Sequence, residues 1–271
     1  MLHTGSDFSD FDGYVVDREV GRGGCATVYQ AHYASDPQHV VALKVLDEDH
    51  RTPAEQARLD REFEFARMLD HPHIVTVYER GPCWLAMQFV GGGKLTRLQV
   101  LNDRLAALAQ IADALDYAHR SGIVHCDVKP ANILVAADFS HTGAVLIDFG
   151  AAHAVVHDVR RRQSRPQVSL PYTAPEVLLG QAPSAATDEY ALACTAVELL
   201  TGTPPFTADN AAELVDAQLH RMPPRISRDF GWVSHAFDTV LATAMAKTPE
   251  LRYRSCTEFV ERLSRALHRS G

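Results

Sequence analysis

The sequence predicts an α+β protein with a small antiparallel β lobe that includes one helix, followed by a larger, mainly helical lobe. Short segments rich in β-branched and aromatic residues fill much of the first 90 positions, a composition typical of strands. Later segments carry apolar residues at helical spacing, and residues 189–200 are apolar on nearly every side. Strands that precede helices along a chain favour the α+β class. The glycines at 91–93 mark the expected boundary between the lobes.

Composition bounds the class of protein. The chain has 271 residues, of which 46% are hydrophobic and 22% charged, as in folded soluble proteins. Its net charge of −8 argues against nucleic acid or an anionic membrane surface as the main partner. Five cysteines, odd in number and without paired metal spacing, favour free thiols in a reducing cytoplasm. We predict a cytoplasmic location, and the cytoplasmic domain of a longer, membrane-anchored protein stays open as the alternative.

One domain of two lobes, 13–90 and 91–271, is expected after a polar, acidic tail over residues 1–12. The N-terminus has neither the basic nor the apolar region of a signal peptide. No uncharged run of about eighteen apolar residues occurs, so no membrane span is predicted. Strands are predicted at 14–33 (two), 39–46, 74–79, 84–89 and 144–147, and helices at 53–69, 101–120, 188–200, 210–221, 234–247 and 257–269.

A glycine-rich turn and a lysine-bearing strand suggest a ligand site in the small lobe. Gly21, Gly23 and Gly24 lie between two predicted strands and let the backbone approach a ligand closely. The strand 39–46 is apolar except for Lys44. A buried lysine is costly unless its ammonium meets an anion or reaches the edge of the sheet. The residues by themselves leave both alternatives open.

The following helix offers two candidate partners for this lysine. Thr52 before Pro53, with a glutamate at the third helical position, is an N-terminal capping pattern. Along this helix, Glu62 and Glu64 are the carboxylates that could meet Lys44.

Polar chemistry is concentrated in the segment IVHCDVKPANILV, residues 123–135. Two short apolar runs enclose a carboxylate (Asp127), an ammonium (Lys129) and an amide (Asn132). Pro130 excludes a regular central strand and biases the residue before it to an extended conformation, which indicates a loop. A loop that offers these groups and is anchored at both ends suits the transfer of a charged group.

This loop resembles the catalytic loop of protein kinases, H-R-D-x-K-x-x-N, with Cys126 in place of the arginine. The other kinase motifs follow in the family's order: GRGGCATV at 21–28, with Ala26 for the third glycine, VALK at 41–44, DFG at 148–150 and APE at 174–176. The resemblance covers residues 13–267. It identifies the chain as a member of the bacterial-type, eukaryotic-like serine/threonine protein kinases, in a non-RD form. The complete activation segment disfavours the small-molecule phosphotransferases that share part of this fold.

The resemblance implies a two-lobed kinase fold that transfers the γ-phosphate of ATP to serine or threonine hydroxyls of protein substrates. It implies Mg²⁺ as the metal, with Mn²⁺ as an alternative, held by Asn132 and Asp148. Asp127 would accept or orient the hydroxyl proton, Lys129 would offset phosphoryl charge, and Lys44 would bind the inner phosphates. The family's spacing selects Glu62 as the partner of Lys44. The implied nucleotide-binding residues are Gly21, Arg22, Gly23, Gly24, Val28, Ala42, Lys44, Met87, Gln88, Val90, Leu134 and Asp148.

The resemblance also implies contacts around the activation segment, 151–173. Ser169 should contact Asp127 and Lys129, and Glu176 of the APE motif should form a partly buried ion pair with Arg252. A pseudokinase, a nucleotide-binding regulatory scaffold, is the alternative function. Its only support is the pair of departures at Cys126 and Ala26, neither of which removes a group that would touch ATP or metal.

Overall fold

The computed structural model describes residue 11 and residues 13–154 and 169–268. These residues form a small β lobe and a larger helical lobe, which confirms the predicted α+β class. In the small lobe, five strands form an antiparallel sheet in the order β1-β2-β3-β5-β4. The strands are β1 (Tyr14–Arg22), β2 (Ala26–Tyr33), β3 (Asp36–Leu46), β4 (Val77–Arg80) and β5 (Trp84–Gln88).

Strand β4 differs from the prediction because the residues before it pair with the other lobe. It begins at Val77 rather than Ile74. Ile74 forms a parallel bridge to Leu146, and the Val75 N–H donates to the Leu146 carbonyl at 2.9 Å. This stretch therefore connects the small sheet to the large lobe instead of extending β4.

The α-helix that the structure describes in the small lobe, α1 (Pro53–Arg67), begins as predicted. The Thr52 side chain accepts a hydrogen bond from the Glu55 N–H at 3.3 Å, which caps the first turn. Leu59 and Phe63 are buried against the sheet residues Leu46 and Leu85. This packing fixes which face of α1 points toward the space between the lobes.

The large lobe is built from helices and two pairs of short strands. Strand β6 (Ile123–Val124) pairs with β9 (His153–Ala154), and β7 (Ile133–Val135) pairs with β8 (Ala144–Leu146). Three helices of four residues were not predicted, because four residues are too short to show a period. The helices are α2 (Leu101–Arg120), α3 (Phe139–Thr142), α4 (Pro175–Leu178), α5 (Ala185–Thr201), α6 (Ala211–His220), α7 (Ile226–Asp229), α8 (His235–Ala244) and α9 (Cys256–His268).

Helix α5 is the centre of the large lobe, and it begins earlier than predicted. It starts at Ala185 and not at Asp188, because Ser184 and Thr187 form a reciprocal capping box. Nearly all of its side chains are buried, as its apolar sequence predicts. Asp188 is therefore a buried carboxylate within the first turn, and its partners belong to the functional site described below.

The predicted ion pair between Glu176 and Arg252 is present and is more deeply buried than expected. Two parallel contacts of 2.8 Å join the guanidinium to the carboxylate. The side chains are 3% and 0% exposed. Burial acts to raise the pKa of Glu176, but the hydrogen bonds and charge of Arg252 hold it below its ordinary value. The pair ties α4 to the loop that precedes α9.

Glu189 of α5 gives stability an unusual pH dependence. It is 1% exposed, and its carboxyl accepts the Tyr253 N–H at 3.0 Å. Burial raises its pKa from 4.5 to about 8. Between these values the folded state binds more protons than the unfolded state, so Glu189 lowers stability as pH rises through that range.

We therefore expect Glu189→Gln to be more stable than the unaltered chain at pH 8.5, by on the order of 2–4 kcal/mol. The glutamine keeps an acceptor for Tyr253 and has no charge to bury. Urea unfolding at pH 5 and pH 8.5 measures the effect, and the exposed Glu64→Gln serves as the control. Stability curves for Glu189→Gln that run parallel to those of the unaltered chain would contradict this expectation.

Some predictions concern residues outside the described ranges. The acidic tail is represented only by Phe11, whose ring meets Trp84 edge-on at 6.3 Å. The arginines at 160–162 and 165 of the activation segment also lie outside the described residues. Among the helices that the structure does describe, none combines the length and apolarity needed to span a bilayer.

Candidate active site

A cleft of about 610 Å³ lies between the two lobes. Its upper wall is the glycine-rich end of β1 and β2 with β3, its back is the connection 87–93, and its lower wall is the loop 127–134 with residues 147 and 148. The structure brings every nucleotide-binding residue named from the sequence to this cleft. These residues are Gly21, Arg22, Gly23, Gly24, Val28, Ala42, Lys44, Met87, Gln88, Val90, Leu134 and Asp148.

The Lys44 ammonium meets anions rather than the edge of the sheet. Its Nζ lies 2.6 Å from Glu62 Oε2 and 3.5 Å from Asp148 Oδ1. Burial by itself would lower the pKa of Lys44, but the Asp148 and Glu62 carboxylates raise it above its ordinary value. Glu62 is buried on α1, whereas Glu64 is exposed. The structure thus pairs Lys44 with the glutamate that the family's spacing selects.

Asp127 is oriented by three polar side chains around its carboxylate. Lys129 Nζ lies 2.7 Å and Asn132 Nδ2 2.9 Å from Oδ2. The Ser169 hydroxyl donates to Oδ1 at 2.8 Å and accepts from Lys129 at 2.7 Å. These contacts fix the direction of the Asp127 carboxylate at the floor of the cleft. Ser169 contacts both Asp127 and Lys129, as predicted.

Asp188 holds the backbone that leads into Asp127, a role that the sequence analysis missed. It is completely buried, and its two oxygens accept the His125 and Cys126 N–H groups, each at 2.8 Å. The Nε2 atom of His119 is a third partner at 2.8 Å. Cys126 has a φ of 65°. Residues other than glycine rarely adopt this left-handed conformation, and it persists where surrounding contacts hold the backbone in place. The signal was a carboxylate in the first turn of a largely apolar helix, because buried acids need partners.

His125 links this loop to the DFG segment. Its Nδ1 accepts the Asp127 N–H at 3.2 Å, and its Nε2 donates to the Ile147 carbonyl at 3.1 Å. Its ring meets the fully buried Phe149 ring edge-on at 4.8 Å. These contacts fix the position of Asp148, which lies between Ile147 and Phe149 in the chain.

Among the described residues of the cleft, Asp148 and Asn132 could hold a metal. Burial acts to raise the pKa of Asp148, but the charges of Lys44 and Arg58 bring it down to about 2. Asp148 is therefore a carboxylate at neutral pH. Since Asn132 uses its Nδ2 for Asp127, its side-chain oxygen is left for the cleft. An anionic carboxylate and an amide oxygen suit a hard divalent cation.

Arg58 is a further cleft residue that was not selected from the sequence. It lies one turn before Glu62 on the same face of α1. A Cβ atom built on Gly150 would lie 2.9 Å from Arg58 Nε, so only glycine fits there without a shift of the arginine. The spacing of four residues from Glu62 could have revealed it. Further residues that line the cleft and were not selected from the sequence are Arg18, Val20, Cys25, Leu46, Leu59, Phe89, Lys94 and Ile147.

The fold and this cleft define a protein kinase domain, and comparison with known proteins agrees. Residues 14–266 match the protein kinase domain family, so the chain belongs to it. It is 40% identical to serine/threonine-protein kinase PknJ of Mycobacterium tuberculosis, over 99% of this chain and 48% of that protein. It is 38% identical to PknF of the same organism, over 97% of this chain and 58% of that protein. It is 36% identical to PknH, over 91% of this chain and 41% of that protein. The chain thus spans about half the length of the curated relatives it matches.

Proposed function

We propose that this domain is a serine/threonine protein kinase that transfers the γ-phosphate of ATP to hydroxyl groups of protein substrates. The observation that carries the proposal is the assembly of two charged networks in one cleft. Lys44 contacts Glu62 and Asp148 at one end, and Asp127 contacts Lys129 and Ser169 at the other. Phosphoryl transfer depends mostly on such positioning and on neutralising charge.

The nucleotide would lie beneath the glycine-rich turn at 21–28. Val28 and Ala42 above and Leu134 below would enclose the adenine ring, and Met87 would close the back of the pocket. Backbone groups of Gln88 and Val90 would hydrogen-bond the adenine edge. This leaves the triphosphate pointing toward the charged end of the cleft.

The charged residues would then act on the phosphates and on the acceptor. Lys44, held by Glu62, would bind the inner phosphates. Asp148 and Asn132 would bind Mg²⁺, with Mn²⁺ as an alternative. The bound ion would supply positive charge against the phosphate oxygens. Asp127 would accept or orient the proton of the attacking hydroxyl, and Lys129 would offset charge on the transferred group.

Phosphate incorporation into a generic basic acceptor protein, with purified domain, ATP and Mg²⁺, tests this function. The Asp127→Asn variant is the matched control, because it keeps the shape of the side chain and removes the carboxylate. Nucleotide binding without incorporation would support the alternative, a regulatory pseudokinase. That alternative is not favoured, since every charged group of the proposed mechanism is present in the cleft.

We also propose a cytoplasmic location, within a longer protein of the kind that the relatives represent. All five cysteines are free thiols, which suits a reducing compartment. The protein substrates are identified only by class, as proteins that offer serine or threonine hydroxyls. A phosphoproteome comparison between the unaltered chain and Asp127→Asn would name them.

Cys126 predicts an activity that does not depend on phosphorylation of the activation segment. A phosphate there carries about −1.5 to −2 charges and needs charge-assisted hydrogen bonds. Burial and the nearby Asp188 and Asp127 carboxylates raise the pKa of the Cys126 thiol well above its ordinary value. The thiol is therefore neutral, and it cannot supply the positive charge of the arginine in the family motif.

We expect phosphatase treatment to leave the initial rate on a peptide within about threefold of the untreated enzyme. The candidate acceptors are Ser164, Ser169, Tyr172 and Thr173, of which Ser164 lies outside the described residues. A loss of tenfold or more, about 1.4 kcal/mol of barrier, restored by autophosphorylation, would overturn this expectation. It would indicate that the arginines at 160–162 or 165 bind the phosphate instead.

A further inference from the structure

We propose that Gln218 of α6 is a positioning residue for the protein substrate, because it holds the backbone of the segment 169–173 beside the catalytic groups. The inference rests on the proposed kinase function and adds a residue outside every motif named above. Gln218 lies about 90 residues from the catalytic loop in sequence, and its side chain reaches that segment only through the fold.

Both ends of the Gln218 amide are used, so its orientation is fixed. The side chain is completely buried. Its Nε2 donates to the Leu170 carbonyl at 2.9 Å, and its Oε1 accepts from the Tyr190 hydroxyl at 2.6 Å. Tyr190 is itself fully buried on the central helix α5. Gln218 therefore connects the Leu170 backbone to the buried central helix of the large lobe.

The carbonyl that Gln218 holds is one residue from the catalytic network. Ser169, which precedes Leu170, contacts both Asp127 and Lys129. Residues Leu170–Tyr172 form a short 3-10 turn, and the Tyr172 hydroxyl donates to Glu198 on α5. A substrate hydroxyl must approach Asp127 beside this turn. The residues that flank the substrate hydroxyl therefore pass along the segment that Gln218 holds.

Gln218 is in turn held in place from behind. The Gln218 carbonyl lies in the last turn of α6 and accepts a hydrogen bond from Lys247 Nζ at 2.7 Å. The same Nζ atom lies 4.8 Å from the centre of the Phe206 ring. A cation at this end of a helix satisfies carbonyls that have no partner within the helix. Hydrogen bonds thus join the end of α6 to the segment 169–173 on one side and to Lys247 on the other. A displacement of about 1 Å near reacting atoms can cost on the order of a hundredfold in rate.

Replacing Gln218 by methionine keeps the length and removes both hydrogen bonds. Tyr190→Phe is the intermediate case, because it removes the hydroxyl that donates to Gln218 Oε1 and contacts Lys247 Nζ, and keeps the hydrogen bond from Gln218 to Leu170. Initial rates with a phosphorylatable peptide and ATP give kcat/KM for each substrate. We expect Q218M to lose at least tenfold in kcat/KM for the peptide while the KM for ATP stays within twofold. Y190F should lose less than Q218M in kcat/KM for the peptide, and the exposed Gln99→Met, the matched control, should stay within threefold for both substrates.

The outcomes separate positioning from general structural support. A peptide kcat/KM for Q218M within threefold of the unaltered enzyme would overturn the inference, and so would a rise of tenfold or more in the KM for ATP. Should Q218M fail to fold, Gln218→Asn, one methylene too short to reach Leu170, must show the same selective loss. An unaltered enzyme that does not phosphorylate the peptide would refute the proposed function itself, whereas an active enzyme with an equally active Q218M would refute only this inference.

Discussion

Lys44→Met and Asp148→Asn are each expected to abolish phosphate transfer, by at least about a thousandfold. Each removes a charge that the proposed mechanism places directly on the phosphates or their metal. Because those interactions are used in the transition state, the loss should appear in kcat, with little change in the KM for a peptide. Activity within a few-fold of the unaltered enzyme in either variant would contradict the assigned role.

The controls for this result follow from the contacts of Lys44. Lys44→Met leaves the buried Glu62 carboxylate without its 2.6 Å partner, so Lys44→Met/Glu62→Gln tests whether the fold survives when no charge is stranded. Circular dichroism and the melting temperature should show that Lys44→Met and the double variant Lys44→Met/Glu62→Gln are both folded. Glu62→Gln alone should reduce activity, because it releases the Lys44 ammonium, whereas the exposed Glu64→Gln should not.

Arg252→Ala is expected to lower the free energy of unfolding by roughly 3–5 kcal/mol, since it strands the buried Glu176 carboxylate. Arg252 also donates to the Ala246 and Ala186 carbonyls at 2.9 and 2.7 Å, and those acceptors lose a partner as well. For a chain of this size the melting temperature should fall by roughly 10 °C. Thermal unfolding followed by circular dichroism measures it.

Arg262→Ala provides the matched control, because Arg262 also pairs with a glutamate at 2.8 Å but lies on the surface of α9. Exposed pairs contribute about 0–1 kcal/mol, so its melting temperature should change little. If Arg252→Ala and Arg262→Ala melt at the same temperature, the buried pair does not stabilise the fold as proposed.

Several features could be predicted because their cause lies in neighbouring residues. The cap at Thr52, the apolar strand around Lys44 and the proline-containing loop at 123–135 each depend on a few adjacent side chains and on general conformational rules. The order of the motifs along the chain then indicated the class of protein. The structure shows these features almost as predicted.

The errors and omissions arose where the cause is distant in the chain. The local pattern around Ile74 predicts a strand of the small sheet, yet Ile74 pairs with Leu146 of the large lobe. The sequence predicts that a helix begins at Asp188, yet Asp188 lies inside the first turn and holds the loop that leads into Asp127. Gln218 gave no signal at all, since a glutamine in an amphipathic helix is ordinary until its partners are known.

The sequence by itself determined the α+β class, the kinase family resemblance and the residue types gathered for phosphoryl transfer. Only the tertiary structure decided which groups meet: that the Lys44 ammonium lies between Glu62 and Asp148, and that Arg252 and Glu176 are almost completely buried. The physical reason is that residue type and spacing fix local conformation and chemical capacity, whereas the burial and partner of a side chain are set by packing between distant segments. Those two properties determine its charge state and its energetic weight.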